Sequence, residues 1–455
     1  MFSAADALLE RAFGARANPL RHLGGLGFVL FWFLAASGIY LYIRFDTSVA
    51  GAYDSIGDLE WWFGGLLRGV HRYAADAFVL VVLLHLVREF AEGRFRRFRA
   101  FSWISGLPAL WLMYASGVVG YWLVWDARAQ FSALATAEWF DVLPVVGGTI
   151  ARNFLAAEAV ADRLFSLFVF LHIGLPLALL AAMWIHVQRL GQPRTGLQPS
   201  LAWGTLVSLI ALALLVPARS HARWDPLKVL EIVDLDWFLL FPHPLMYATS
   251  PQALWLVAGG LTLAAAALPW LSRGPAPVAA RVDPENCNGC ARCVADCPYQ
   301  AIALSAENKA VVHPERCAAC GICAGACPAS TPFRGARELV SGIVLPELTV
   351  DELRRKLDSV LAPKPAEVLF RCEFAIPQAH ALELRCMAML PPSFIEYALR
   401  RGAQRVRLAG CRQGACAWRL GDELSAERFA GTREPRLRAT VHCTRLDHEY
   451  AFTLR

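Results

Sequence analysis

His71 and His85 lie in one apolar segment, His172 and His186 in another, and both pairs are fourteen residues apart. At about 1.5 Å per residue, fourteen helical residues rise about 21 Å, and fourteen steps of about 100° return nearly to the starting azimuth. Both histidines of a pair then look the same way from different depths. Two such helices side by side can hold two hemes, one above the other, gripped by His71 with His172 and by His85 with His186. The alternative is a polar residue satisfied inside a bundle. Ionisable side chains within membrane segments are rare and usually functional, and a matched interval in two segments favours paired hemes.

Composition agrees with a membrane setting. Of 455 residues, 56% are hydrophobic and 18% charged, too apolar for an ordinary soluble enzyme. The apolarity is concentrated in the first 272 residues, and all 13 cysteines lie beyond them. A membrane domain followed by a cysteine-rich soluble part is therefore expected. Segment 1–23, with Arg11, Arg16 and Arg21 among apolar residues, reads as an interfacial amphipathic helix rather than an export signal. Over 24–272, six transmembrane helices fit near 24–44, 71–91, 104–125, 165–188, 201–218 and 251–272. Arg94, Arg96, Arg97 and Arg99 follow the second span, and Arg189 and Arg194 the fourth. Asp46, Asp54, Asp58 and Glu60 follow the first. The positive-inside rule puts the amino terminus in the cytoplasm, and six crossings return the chain there. His71 and His172 then lie near the outer face, His85 and His186 near the inner one. The net charge of +6 reflects arginines at membrane ends and gives no reason to expect nucleic acid.

Gly24 and Gly38 in the first span, and Gly106 and Gly120 in the third, repeat the fourteen-residue interval. With the histidines, they make this half resemble cytochrome b of the quinol-oxidising bc complexes. The resemblance covers about 250 residues; the family's last helices are missing. It implies a di-heme α-helical bundle in which a glycine opposite each heme plane lets the macrocycle approach the backbone. It also puts Arg68 and Arg88, each three residues from a histidine ligand, near the heme propionates; ordinary interfacial arginine is the other reading. In the loop before the sixth span, Asp236 and Trp237 fall where the family carries the glutamate and tryptophan of its outer quinone motif. The motif's proline and tyrosine are absent. A carboxylate there can take a quinol proton; the plain alternative is an acidic loop residue beside aromatic interface anchors. At the inner pocket the family's histidine appears as Gly191. Quinone chemistry is expected on the outer side.

Cys287, Cys290, Cys293 and Cys297 precede Pro298, and Cys317, Cys320, Cys323 and Cys327 precede Pro328 with the same spacing. This is the run of bacterial two-cluster ferredoxins, in which three close thiolates hold one cluster and the fourth ligates its partner. One 4Fe–4S cluster is expected on Cys287, Cys290, Cys293 and Cys327, and the other on Cys317, Cys320, Cys323 and Cys297. Zinc and disulfides are the weaker readings. The expected unit is an α+β ferredoxin-like domain over 278–332.

A linker over 333–365, helical near 346–361, leads to a small α/β unit over 366–455. Strands are expected at 366–371, 382–386 and 405–410, with a helix at 392–401. Cys372, Cys386, Cys411 and Cys416 fall near strand ends and can converge on one metal centre. The segment resembles the small iron–sulfur subunit of methyl-viologen-reducing hydrogenases, with Gly410, Cys411 and Cys416 carrying the match. In that family a second cysteine often closely follows the first; here Glu373, Phe374 and Ala375 follow Cys372. The four thiolates suffice for a 2Fe–2S cluster; buried free cysteines and structural zinc are the alternatives. Cys443 reads as a packed thiol.

The sequence shows no glycine-rich nucleotide loop after a strand, and no nickel or molybdenum ligand set. The soluble substrate is therefore expected on another polypeptide. These features describe a multi-pass subunit of a prokaryotic cytoplasmic membrane, with its amino terminus and iron–sulfur domains in the cytoplasm. It would join the quinone pool to a flavoprotein of heterodisulfide-reductase type or to a hydrogenase, and the family leaves room for a homodimer. A self-sufficient ferredoxin:quinone oxidoreductase is the second reading, a redox-sensing scaffold the third. Electrons leaving outward would consume membrane potential, at about 2.3 kcal/mol per charge per 100 mV; the reverse direction would build it.

Overall fold

The computed structural model describes residues 2–14, 17–59, 62–144, 161–193, 195–225, 233–271, 277–335, 337–363, 365–411, 416–446 and 449–454. Arg16, Glu60 and Arg194 of the topology argument lie outside them.

The first half is helical. In chain order it runs α1 (Phe2–Phe13), α2 (Leu23–Arg44), α3 (Ala52–Gly57), α4 (Trp62–Ala91), α5 (Ala100–Trp122) and α6 (Ala127–Asp141). Then follow α7 (Asp162–Val187), α8 (Pro199–Leu215), α9 (Pro242–Ala248) and α10 (Pro251–Leu271). Among the described residues, four helical stretches are long and apolar enough to cross a membrane: Pro19–Arg44, Arg97–Trp122, Asp162–Val187 and Pro251–Leu271. The other two expected spans form helices but differ in kind. Helix α4 begins at Trp62, nine residues before His71, and carries Arg68, Arg72, Asp76, Arg88 and Glu89 along its 30 residues. Helix α8 has 17 residues, about 26 Å of rise against a hydrocarbon core of about 30 Å.

Helices α2, α4, α5 and α7 make the bundle core, where Leu30, Phe31, Phe78, Met113, Phe165 and Phe168 are buried together. Small residues set the close approaches. A Cβ on Gly27 would stand 3.5 Å from Phe78, and one on Gly69 would stand 2.7 Å from Ala213 of α8. Helix α10 is hung on α5 by Trp103 Nε1 donating to Ala265 O (2.7 Å) and Trp111 Nε1 to Thr262 Oγ1 (3.2 Å). At the His71 end, Asp126 caps α6 through Ala129 N (2.9 Å) and accepts from His221 N (2.9 Å). Trp125 stacks on Trp224 with ring centres 4.3 Å apart. The segment around His221 and Trp224 is thus pinned over that end of the bundle.

The cysteine-rich part begins with β1 (Arg281–Val282), α11 (Arg292–Ala295), β2 (Ile302–Leu304), β3 (Ala310–Val312), α12 (Ile322–Ala326) and β4 (Ile343–Val344). Two antiparallel ribbons hold it, Arg281 opposite Val344 and Ile302 opposite Val312. Both short helices start from a residue in the left-handed region, Ala291 and Gly321, which turns each cysteine run tightly into its helix.

The final unit comprises α13 (Val350–Leu361), β5 (Glu367–Cys372), β6 (Leu382–Leu384), α14 (Pro392–Arg400), β7 (Arg405–Ala409), α15 (Gly421–Phe429), β8 (Val441–Leu446) and β9 (Glu449–Leu454). The sheet order is β6-β5-β7-β9-β8. Strand β5 runs parallel to β6 and β7, with Cys372 opposite Leu384 and Phe370 opposite Leu408; β9 is antiparallel to both neighbours. Segment 333–365 is more than the expected linker. Thr349 caps α13 through Glu352 N (3.1 Å), and Val350, Leu353, Leu357 and Leu361 form one buried stripe packed in the same core as Phe370, Phe394 and Phe452.

Candidate redox-cofactor sites

His71 on α4 and His172 on α7 face each other with ring centres 6.3 Å apart and planes at 69°. His71 Nδ1 lies 3.1 Å from Leu34 O and 3.0 Å from Ser37 Oγ, and His172 Nδ1 lies 3.0 Å from Ser116 O. A carbonyl only accepts, so each Nδ1 carries the proton and each Nε2 keeps its lone pair. With metal–nitrogen bonds of about 2.0 Å and about 1.1 Å from nitrogen to ring centre, two axial imidazoles have centres about 6.2 Å apart. The observed pair fits that requirement. One layer further along, His186 Nδ1 lies 3.2 Å from Ser105 Oγ, and His186 stands within electrostatic reach of His85.

Each of the four glycines meets one of these rings. A Cβ would stand 3.1 Å from His71 at Gly38, 2.8 Å from His172 at Gly120, 3.2 Å from His186 at Gly106 and 3.8 Å from His85 at Gly24. The glycines therefore make room for imidazole edges. The interval repeats because every ring needs its own gap in the neighbouring helix. Arg88 has partners within the protein. Its guanidinium pairs with Asp6 of α1 (3.0 Å) and Glu92 (2.8 Å) and donates to Leu20 O. Arg68 donates to Ser220 Oγ (2.8 Å).

Asp236 is buried, whereas its neighbour Trp237 is 69% exposed. Tyr121 donates to Asp236 Oδ2, Arg72 lies 3.1 Å from the same carboxylate, and Phe238 N donates to Oδ1 (2.8 Å). Arg72 pairs in turn with Asp76. Sequence reasoning found Asp236 but missed Arg72, Asp76 and Tyr121. A signal was present: Arg72 follows His71 directly, Asp76 stands one turn on, and both lie in an apolar segment where ionisable groups need a reason. The arrangement can hold a hydrogen-bonding carboxylate at the His71 end of the bundle.

The cysteines of the two runs line two cavities. One is bordered by Cys287, Cys290, Cys293 and Cys327, the other by Cys297, Cys317, Cys320 and Cys323. Three cysteines from one run and the last of the other meet in each. Burial, with Cys290 and Cys327 nearby, pushes the Cys293 thiol up to about 12, and burial raises Cys320 and Cys323 well above the usual thiol range. Such groups become thiolates only when a cation offsets the charge.

In the final unit, Cys372 ends β5, Cys386 lies two residues past β6 and Cys411 two past β7. The parallel strands thus present these cysteines at their carboxyl ends, where such sheets gather ligands. Cys372 Sγ is 4.0 Å from Cys411 Sγ, and Cys386 and Cys416 are hydrogen-bonded to each other. A tetrahedral metal with metal–sulfur bonds of about 2.3 Å has sulfur–sulfur edges of about 3.8 Å, so the first pair fits one edge. Gly421 closes the floor, where a Cβ would press on Cys386 Sγ and stand 3.0 Å from Cys416 Sγ. Among the described residues no three His, Cys, Asp or Glu side chains enclose a single ion. Cys443 is half-buried against the sheet core, and burial pushes its thiol up to about 11.

Three family models match the chain in order. They are cytochrome b/b6/petB over residues 15–193, a 4Fe-4S dicluster domain over 279–331, and the methyl-viologen-reducing hydrogenase delta subunit over 368–451. Cytochrome b6 of Tupiella akineta is 31% identical over 185 residues, which is 40% of this chain and 86% of that protein. Cytochrome b6 of Prochlorococcus marinus is 30% identical over 185 residues, 40% of this chain and 85% of that protein. Among solved structures, a chain of a hyperthermophilic respiratory complex III aligns with a TM-score of 0.46 at 19% identity, covering 60% of this chain and 84% of that one.

Proposed function

The chain belongs to the cytochrome b/b6 family through its membrane half, with a 4Fe-4S dicluster domain and a hydrogenase-delta-like domain following, and from that premise we propose a relay. It passes electrons between the membrane quinone pool and a soluble redox partner, a flavoprotein or hydrogenase-type subunit on the cytoplasmic side. Two b hemes, two 4Fe–4S clusters and one 2Fe–2S cluster supply the one-electron carriers.

The observation that carries this reading is the His71–His172 pair, 6.3 Å between ring centres with both Nδ1 atoms held by carbonyls. His71 and His172 hold the outer heme, and His85 and His186 the inner one. Leu34, Ser116 and Ser105 fix the ring orientations, keeping each Nε2 turned to the metal. Cys287, Cys290, Cys293 and Cys327 hold one cubane, Cys297, Cys317, Cys320 and Cys323 the other, and Cys372, Cys386, Cys411 and Cys416 the smaller cluster. At the outer end Asp236 accepts a proton from the quinol hydroxyl, while Arg72 and Tyr121 hold the carboxylate in place. The experiment is cofactor stoichiometry on the detergent-purified chain. Two hemes per chain are expected, falling to one in His172→Ala. One heme in the unaltered chain, or two in the variant, would overturn the assignment.

A further inference from the structure

The two ferredoxin-type sites are not equivalent in their surroundings. Gly191, five residues past His186, donates its N–H to Pro298 O (2.8 Å), and Pro298 directly follows Cys297. A Cβ on Gly191 would press on Cys297 O and stand 3.2 Å from the Pro298 carbonyl carbon, so only glycine allows this approach. Arg419 ties the contact together, donating to Pro298 O (2.6 Å), Gly191 O (3.0 Å) and Gln192 O (3.1 Å). Beside it, Arg99 donates to Tyr299 Oη (3.2 Å), and the Phe98 ring lies 4.6 Å from that of Tyr299. Pro298 and Tyr299 both line the cavity of Cys297, Cys317, Cys320 and Cys323. That cavity therefore sits directly on the membrane half, at the end of the helix that carries His186.

The opposite flank of the same cavity carries the final unit. A Cβ on Gly321 would stand 2.6 Å from Met389 Sδ, and one on Gly325 would stand 2.9 Å from Met389 O. Ile322 packs toward Gly421, the floor of the Cys386–Cys416 pair, and Cys320, Ile322 and Cys386 share one buried cluster with Cys416 packed against it. A buried ion pair locks this contact: Asp296, next to Cys297, meets Arg428 at 2.5 Å, and the partly exposed Arg433 adds a second contact at 2.9 Å. The twin cavity is different. Residues of segment 287–343 line it, and its Cys290 is exposed.

We propose that the site of Cys297, Cys317, Cys320 and Cys323 is the junction of a forked electron path, rather than one step in a linear one. It exchanges electrons with the inner heme through Gly191 and Pro298, and with the Cys372, Cys386, Cys411 and Cys416 site through the Ile322–Gly421 contact. The Cys287, Cys290, Cys293 and Cys327 site is a side branch that opens to solvent, a second port for a one-electron donor of the reduced iron–sulfur protein class. Each transfer moves one electron: the donor centre is oxidised, its neighbour is reduced, and no bond or proton changes. Two such transfers reduce one quinone in the membrane, with protons drawn from water. Tunnelling falls exponentially with distance, so these contacts decide which centres exchange rapidly.

The inference rests on the cofactor assignment above, and magnetic coupling separates the two. In the full-length protein, fully reduced, the electron paramagnetic resonance signal of the final-unit cluster should be split by the junction cluster. The double variant Cys287→Ala with Cys290→Ala should keep that splitting while losing one cubane signal. Cys320→Ala should abolish it with the final-unit signal retained. Gly325→Val, which leaves every ligand in place, should weaken the splitting with all three signals present. Splitting that vanishes in the double variant, or that is unchanged in Gly325→Val, means a linear order and overturns the fork. A purified chain without cluster signals overturns the cofactor assignment and the fork together.

Discussion

At the scale of single residues, the clearances around the four imidazoles grade what a methyl group would do. A Cβ at Gly120 would stand 2.8 Å from His172 Cε1, too close without moving a ring already tied to Ser116 O. At Gly24 the same atom would sit at 3.8 Å, an ordinary contact. Gly120→Ala should therefore lose most of one heme, with overpacking of about 1–3 kcal/mol, while Gly24→Ala keeps both; pyridine hemochrome assay reads the difference. Asp236→Asn removes the proton-accepting charge but keeps the shape. Quinol turnover should fall by at least about tenfold, within the range a positioned general base contributes, with both hemes spectrally intact; unchanged turnover would remove Asp236 from the reaction. The histidines and the paired cysteine runs were readable from spacing because cofactor geometry dictates the interval. Arg72 and Asp76 escaped because they mimic an interfacial charge pair until Asp236 is brought to them from 160 or more residues away.

At the scale of elements, helix α13 shows a segment read as a connector behaving as core. Its stripe of Val350, Leu353, Leu357 and Leu361 keeps helical spacing beside a charged face of Asp351, Glu352, Arg354, Arg355 and Lys356. Leu357 is fully buried. Leu357→Ala should destabilise the final unit by about 2–5 kcal/mol, read as a lower melting transition for that unit with heme absorbance unchanged. The hairpin of β8 and β9 was legible in principle, since Tyr450 and Phe452 alternate with more exposed neighbours. Its first strand offers no such contrast: His442, Cys443, Thr444 and Arg445 carry little period-two signal. The start of α4 was misplaced for a different reason. Gly64, Gly65 and Arg68 dilute the apolar pattern before His71, while the helix continues because it packs against α2 and α8.

At the scale of the whole molecule, the order of parts was plain in the sequence, an apolar region with paired histidines and then paired cysteine runs. How the parts meet was not, because Gly191, Arg419 and Asp296 act through backbone carbonyls and long-range pairs that leave no local pattern. Their geometry has a consequence in time. Asp296 waits for Arg428 and Arg433, 132 and 137 positions later in the chain. On the ribosome, the loop bearing Cys297 is made long before the arginines that lock it. Metal insertion at that loop is then expected to be less complete until Arg428 and Arg433 have been made. A chain ending at residue 345 should insert in the membrane with its full heme complement yet carry less iron than eight ligands imply. The carboxyl terminus then serves as a checkpoint for the wiring that precedes it.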